Sequence, residues 1–105
     1  MLRIYATSLE LIRALRPTVD TIARFDTDLA RQMRRAMASV TLNIAEGSYA
    51  RGRNRQSLYQ VALGSAKETR ACLDVAASFG YLDEVDERVV ADLGSICAVL
   101  YSLVT

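Results

Sequence analysis

The sequence predicts an all-α protein, an up-down-up-down antiparallel four-helix bundle formed as a single domain over residues 1–105. Apolar residues make up 51% of the chain, and only 5 glycines and 1 proline interrupt it. Apolar side chains also recur at intervals of three and four residues, which places them on one face of each helix. A bundle this small leaves apolar faces uncovered, so assembly into a homo-oligomer is expected.

The first helix is predicted over residues 5–24. Pro17 falls inside its pattern without a break in phase. Proline removes one backbone hydrogen bond and crowds the carbonyl of Arg13, so we expect a kink rather than two helices. The predicted inner stripe consists of Tyr5, Leu9, Ile12, Leu15 or Arg16, Val19, Ile22 and Ala23.

The second helix is predicted over residues 28–49, after a turn in which Asp26 or Thr27 accepts from free backbone amides. The predicted inner stripe is Leu29, Met33, Ala36, Met37, Val40, Ile44 and Gly47.

The third and fourth helices follow an arginine-rich corner at residues 50–55. Helix three is predicted over residues 55–79, with Gly80 as its C-cap. Helix four is predicted to open in the acidic run at residues 83–87, since acids favour a helix start. Val90, Val99 and Tyr101 fall off its inner stripe, which indicates a second buried surface at a subunit contact.

Charge is distributed unevenly, although the net charge is only +1. Residues 31–55 carry six arginines and one acid, whereas residues 71–105 carry six acids and one arginine. Arginine suits bidentate contacts to phosphate. The corner is therefore a candidate phosphate-contacting site, with Tyr49 and Tyr59 as stacking rings; a solvated or salt-bridged loop is the alternative. The candidate nucleic-acid-binding residues are Arg31, Arg34, Arg51, Arg53 and Arg55.

Four polar residues near the inner faces predict a buried structural network: Arg35, Asn43, Glu46 and Glu68. A buried carboxylate must be paired, and arginines 34, 35 and 70 are the available partners. A catalytic carboxylate pair is the alternative interpretation.

The chain has no histidine, which excludes Ser-His-Asp and Cys-His nucleophilic systems and His-based zinc sites. Cys72 and Cys97 are not spaced as the ligands of a zinc knuckle are. The sequence also contains no phosphate-binding glycine loop. We therefore expect a non-enzymatic protein without a metal or cofactor. No secretory signal or apolar run of membrane-spanning length is visible, so a cytoplasmic protein without membrane contact is expected.

The most specific sequence motif in the chain is Asn43-Ile44-Ala45-Glu46-Gly47. A second motif, Gln-Met-Arg-Arg-Ala, lies earlier in the same predicted helix at residues 32–36. With Ala-Leu-Gly-Ser-Ala-Lys-Glu at 62–68 and Gly-Tyr-Leu at 80–82, they resemble the four-helix-bundle family encoded in intervening sequences of bacterial 23S rRNA genes. The accessory variability proteins of diversity-generating retroelements are similar. The resemblance implies a homopentameric barrel and, for the retroelement branch, a basic surface that binds nucleic acid and a reverse transcriptase.

Two functional hypotheses follow. In the first, the protein is an oligomeric RNA-binding protein that uses the arginine corner. In the second, it is a protein-interaction scaffold or accessory subunit, in which the corner meets the acidic start of helix four of a neighbour.

Overall fold

A computed structural model describes residues 2–105, and it confirms the four-helix all-α prediction: these residues form four helices and no strand. The helices are α1 (Arg3–Phe25), α2 (Thr27–Tyr49), α3 (Gly52–Ser78) and α4 (Glu87–Val104). Each helix packs against two neighbours, in a closed order α1, α2, α3, α4. The bundle measures 43 × 24 × 21 Å.

Cross-helix hydrogen bonds show that consecutive helices run antiparallel. Ser8 near the start of α1 meets Thr41 near the end of α2, with 2.8 Å between the hydroxyl oxygens. The Ser39 and Ser65 hydroxyls join α2 to α3 at 2.7 Å. Gln56 at the start of α3 donates to the Val104 carbonyl at the end of α4. The start of α1, the end of α2, the start of α3 and the end of α4 therefore share one end of the bundle.

The core is formed by one stripe from each helix, and on α1 it differs from the predicted stripe. Tyr5, Leu9 and Ile12 are only half-buried, because α1 is rotated so that a neighbouring stripe faces inward. The buried residues of α1 are Ile4, Ser8, Leu11, Leu15, Val19 and Ile22. Of the predicted α2 stripe, only Leu29 is not fully buried. Helix α1 continues through Pro17, as predicted.

The α1–α2 turn is confirmed as a capped turn. Asp26 accepts a 2.9 Å hydrogen bond from the Leu29 amide and so caps α2. The Tyr81 hydroxyl donates to the other oxygen of the same carboxylate, at 3.3 Å. The desolvated phenol and the adjacent Asp26 raise the pKa of Tyr81. The ring of Tyr81 stacks between Phe25 and Phe79, at centroid distances of 5.3 and 5.4 Å.

The link between α3 and α4 is longer than predicted. Gly80 ends α3 with a φ of 81°, and the Tyr81 amide returns to the Ala76 carbonyl, as in a Schellman motif. Helix α4 begins only at the end of the acidic run, at Glu87, with Asp86 as its cap. Tyr81, Leu82 and Val85, in the link between the two helices, pack against the core. Within residues 2–105, no helix is both long and apolar enough to cross a lipid bilayer.

Candidate nucleic-acid interface

The arginine corner is a tight link rather than a loop. Helix α2 ends at Tyr49, and α3 already begins at Gly52. Gly52 has a φ of 58°, a conformation that suits glycine and lets the chain reverse direction within two linking residues. Helix three was predicted to begin at Arg55. Arg53 and Arg55 instead lie in its first turn.

Arg55 binds the end of the preceding helix. Its Nε donates to the carbonyls of Gly47 at 3.1 Å and Ala50 at 2.8 Å, and one terminal nitrogen donates to Ser48 at 3.4 Å. The last carbonyls of a helix lack intrahelical hydrogen-bond donors and carry partial negative charge. A guanidinium group supplies both the missing donors and a compensating positive charge. Arg55 therefore has a structural role at the corner, one that the sequence prediction missed.

Arg51 and Arg53 are exposed, and neither takes part in an ion pair within the described residues. Arg3 is also exposed and starts α1 at the same end of the bundle. We call this surface, formed by Arg3, Arg51, Arg53 and Arg55, the basic end. The nearest acid along the chain is Glu46, one turn before the end of α2.

The structure separates Arg31 and Arg34 from the basic end. Eighteen residues of α2 lie between Arg31 and the end of the helix, a rise of about 27 Å. Arg31 pairs with Asp28 at 3.6 Å, and Arg34 pairs with Asp20 of α1 at 3.8 Å. Both pairs are exposed and so contribute little stability. The five predicted arginines therefore do not form one site.

The acidic residues gather toward the other end of the bundle. Asp26 and Asp28 lie at the start of α2, which is far from the corner. The α3–α4 link adds Asp83, Glu84 and Asp86. Because the bundle is 43 Å long, the corner arginines and these acids lie at opposite ends of the molecule.

The predicted buried polar network does not form within the chain. Arg35, Glu46 and Glu68 are exposed, because they face the outer side of the α2–α3 pair. Of the four residues, Asn43 forms side-chain hydrogen bonds within its own helix. Its amide nitrogen donates to the backbone carbonyl of Ser39 at 2.8 Å and to the hydroxyl of Ser39 at 3.1 Å. Rotation of α2 about its axis directs Ile44 and Gly47 inward and Glu46 outward.

Glu46→Ala should therefore change the free energy of unfolding by no more than about 0.5 kcal/mol. The carboxylate is exposed and takes part in none of the ion pairs, so its removal breaks no contact of the folded chain. Urea denaturation at one protein concentration measures the change. A loss near 3 kcal/mol, the value expected for a buried paired charge, would contradict the exposed position.

The two candidate stacking tyrosines differ. Tyr49 is 83% exposed, beside the corner. Tyr59 is only 4% exposed, because its ring packs against Gly47. A Cβ at Gly47 would lie 2.7 Å from Cδ1 of that ring. Tyr59 is therefore part of the core, and only Tyr49 is placed to stack on a ligand.

The two cysteines are free thiols, Cys72 buried and Cys97 half-buried. Burial raises the pKa of both the Cys72 and the Cys97 thiols, with Glu68 adding to the effect at Cys72 and Lys67 opposing it at Cys97. A raised pKa disfavours the nucleophilic thiolate at neutral pH. Residues 2–105 contain no group of three or more Cys, Asp or Glu side chains arranged to hold a metal ion.

The family model of the 23S rRNA-intervening sequence protein matches residues 1–102. The chain belongs to this family. A solved structure of similar fold is that of a protein of unknown function, from the S23 ribosomal protein family of Bacteroides thetaiotaomicron. Its TM-score is 0.81 over 97% of this chain and 98% of the other, at 21% sequence identity. Identity this low supports the shared four-helix fold alone. No curated protein matches the sequence significantly.

Proposed function

We propose that this family member is a non-enzymatic, homo-oligomeric RNA-binding protein whose basic end contacts phosphates, chiefly through Arg51 and Arg53. The observation that carries the proposal is the presence of exposed arginines without carboxylate partners at one end of the bundle. Guanidinium groups bind phosphate oxygens in a bidentate manner. The family description, which refers to an intervening sequence of 23S rRNA, favours RNA as the polyanion.

Several details support this assignment at the corner. The N-cap of α3, Arg51, provides no side-chain cap for the helix, so the first amides of a 27-residue helix are free beside the two arginines. Exposed Tyr49 is available to stack on an unpaired base. Arg55 adds positive charge but is already bound to α2, and Arg31 and Arg34 lie too far along α2 to contact the same phosphates. The pentameric assembly that the resemblance implies and the cytoplasmic location expected from the sequence belong to the same proposal.

The test is a titration of a labelled structured RNA with the wild-type protein and with an Arg51→Ala/Arg53→Ala variant, at low and physiological salt. We expect the variant to lose at least about tenfold in affinity and to bind with a salt slope reduced by about 2, one for each phosphate contact removed. The matched control is Arg24→Ala/Arg88→Ala, which removes two exposed arginines distant from the basic end. The control should bind as the wild type does.

Equal losses in both double variants would show a general charge effect and would contradict the assignment to the basic end. Absence of binding by the wild-type protein even at low salt would contradict the RNA-binding proposal itself.

A protein-interaction scaffold is the second candidate function, and the separation of the charged ends favours it. Within one chain the corner arginines and the acidic α3–α4 link lie at different ends, so the arginines can pair with such acids only in another molecule. That molecule would be a neighbouring subunit or, by the resemblance, a reverse transcriptase. Molar salt should then dissociate the complex, and the alanine substitutions at Arg51 and Arg53 should weaken it without any RNA present.

A further inference from the structure

The end of the bundle opposite the basic end carries a group of exposed apolar side chains. Phe25 closes α1 and Phe79 directly follows α3, and the two are 62% and 66% exposed. Half-buried Tyr81 lies between their rings. Val75, one turn before Phe79, is 41% exposed and shares a shallow surface groove with it. We call these four residues the aromatic patch. Apolar residues exposed singly are common, whereas a contiguous exposed patch marks an interaction site.

The aromatic patch is held in a fixed arrangement. The ring planes of Phe25 and Tyr81 differ by 8°, and those of Phe79 and Tyr81 differ by 18°. The Tyr81 hydroxyl donates to Asp26, and the Tyr81 amide donates to the Ala76 carbonyl at 2.9 Å, so the central residue is bound at both ends. Because Tyr81 covers one face of each phenylalanine ring, the opposite faces remain for a ligand. A surface ordered in advance loses little conformational entropy when a ligand binds.

The charge around the aromatic patch is negative. Residues 24–31 and 70–88, which form this end of the bundle, contain seven acids and four arginines. Two of the acids are paired, Asp28 with Arg31 and Asp74 with Arg70. Five acids and two arginines remain: Asp26, Asp83, Glu84, Asp86, Glu87, Arg24 and Arg88. The excess of carboxylates gives this end a negative potential.

These features together favour a cationic ligand. The face of an aromatic ring carries partial negative charge and attracts guanidinium and ammonium groups. Asp83 and Glu84 are exposed two and three residues after Tyr81, and their carboxylates attract the same groups. The negative potential repels phosphates, which disfavours nucleic acid and anionic lipid at this end. Exposed Val75 suits an aliphatic side chain. The surface therefore fits a polypeptide that carries both basic and apolar side chains.

We propose that the aromatic patch docks a basic segment of another protein. Arginine or lysine side chains of that segment stack on the outer faces of Phe25 and Phe79 and pair with Asp83 and Glu84, while its apolar side chains contact Val75. The bundle then has two binding ends of opposite charge. Because the bundle is 43 Å long, a cationic segment at this end leaves the basic end free. The inference goes beyond RNA binding and does not depend on it.

The probe for the test is a short fluorescein-labelled peptide in which arginine and leucine alternate. Fluorescence anisotropy measures its binding to the wild-type protein at low and physiological salt. We expect a dissociation constant of about 10–100 μM at low salt, equivalent to about 5–7 kcal/mol of binding free energy. The matched peptide has glutamate in place of arginine, and it should bind at least about tenfold more weakly because the carboxylates repel it.

The contribution of the rings is measured with Phe25→Ala/Phe79→Ala. This variant should bind the arginine peptide at least about tenfold more weakly, because two cation–π contacts and their apolar area are lost. Its matched control is Tyr49→Ala/Tyr101→Ala, which removes two exposed rings at the other end of the bundle. The control should bind as the wild type does. Circular dichroism checks that each variant is helical.

The contribution of the carboxylates is measured with Asp83→Asn/Glu84→Gln, which leaves every ring in place. At low salt this variant should bind the arginine peptide about three- to tenfold more weakly, the effect of two exposed charge pairs. Its matched control is Glu10→Gln/Glu46→Gln, in which both acids are exposed in the half of the bundle nearer the basic end. The two variants have the same net charge, so a difference between them reports the position of the acids.

Equal losses in the two charge variants would overturn the assignment to this end, as would wild-type affinity in Phe25→Ala/Phe79→Ala. A wild-type protein that leaves the arginine peptide unbound at about 1 mM protein would overturn the docking surface itself. If the protein alone formed linear end-to-end assemblies that Phe25→Ala/Phe79→Ala lacks, the occupant would be the basic end of a second copy, and the proposal of a separate partner would be overturned. None of these measurements uses RNA, so failure of RNA binding at the basic end leaves this inference standing.

Discussion

Replacing Ile44 by Ala should lower the free energy of unfolding by about 2–5 kcal/mol. Ile44 is completely buried. It lies within the Asn43–Gly47 motif of α2, on the side of the helix that faces the core. Truncation removes three carbon atoms from a core in which helices approach from several sides, so the remaining structure can only partly fill the space. The loss includes both the transfer free energy of the removed atoms and the cost of the cavity.

Urea denaturation followed by circular dichroism measures this change. All variants should be compared at one protein concentration, because self-association of a folded chain, where it occurs, adds to the apparent stability. Glu46→Ala, two residues away on the opposite side of the same helix, is the control with almost no expected effect. A change below about 0.5 kcal/mol for Ile44→Ala, in the range of surface substitutions, would contradict the packing of α2 described above.

Replacing Gly47 by Ala should destabilise the protein by about 1–3 kcal/mol, the usual cost of adding a methyl group to a filled core. The new Cβ would meet the ring of Tyr59, whose Cδ1 lies 2.7 Å from its position. Tyr59 is 4% exposed, so its ring has little free space into which to move. The clash outweighs the roughly 1 kcal/mol by which alanine favours a helix over glycine.

Gly64→Ala and Gly94→Ala provide the comparison for Gly47→Ala. Both glycines are helical and exposed, and no atom lies within 4 Å of either Cβ position. These two variants should be more stable than the wild type by up to about 1 kcal/mol, since only the helix preference acts. Thermal unfolding at fixed concentration gives the sign of each change. A stabilising effect at all three positions would show that Tyr59 does not pack against Gly47.

Local sequence signals predicted the local features well. The three- and four-residue periodicity identified four helices, Asp26 was among the predicted caps, and Gly80 was predicted to end α3. Each of these depends on residues close together in the chain. The start of α4 was placed too early, because an acidic run favours a helix start without specifying which of its members is the cap.

The candidate site was less predictable, because its geometry depends on how helices are brought together. The corner at residues 50–55 and its positive charge were visible in the sequence. The hydrogen bonds that Arg55 donates to the end of α2 could not be seen in the sequence. Their carbonyl acceptors become available only because α2 ends next to the start of α3. The separation of Arg31 from the corner was overlooked, although the length of a helix between them implied it.

The sequence by itself determined the helical class, the number of helices and the concentration of opposite charges in different segments, because periodicity and composition act within each helix. Only the tertiary structure decided how each helix is rotated. On α1 two apolar stripes compete, and the one containing Ile4 and Leu11 is buried while Tyr5 and Leu9 remain at the surface. This choice depends on the packing of all four helices together, since the stripe that best fills the shared core is buried and the other stays at the surface.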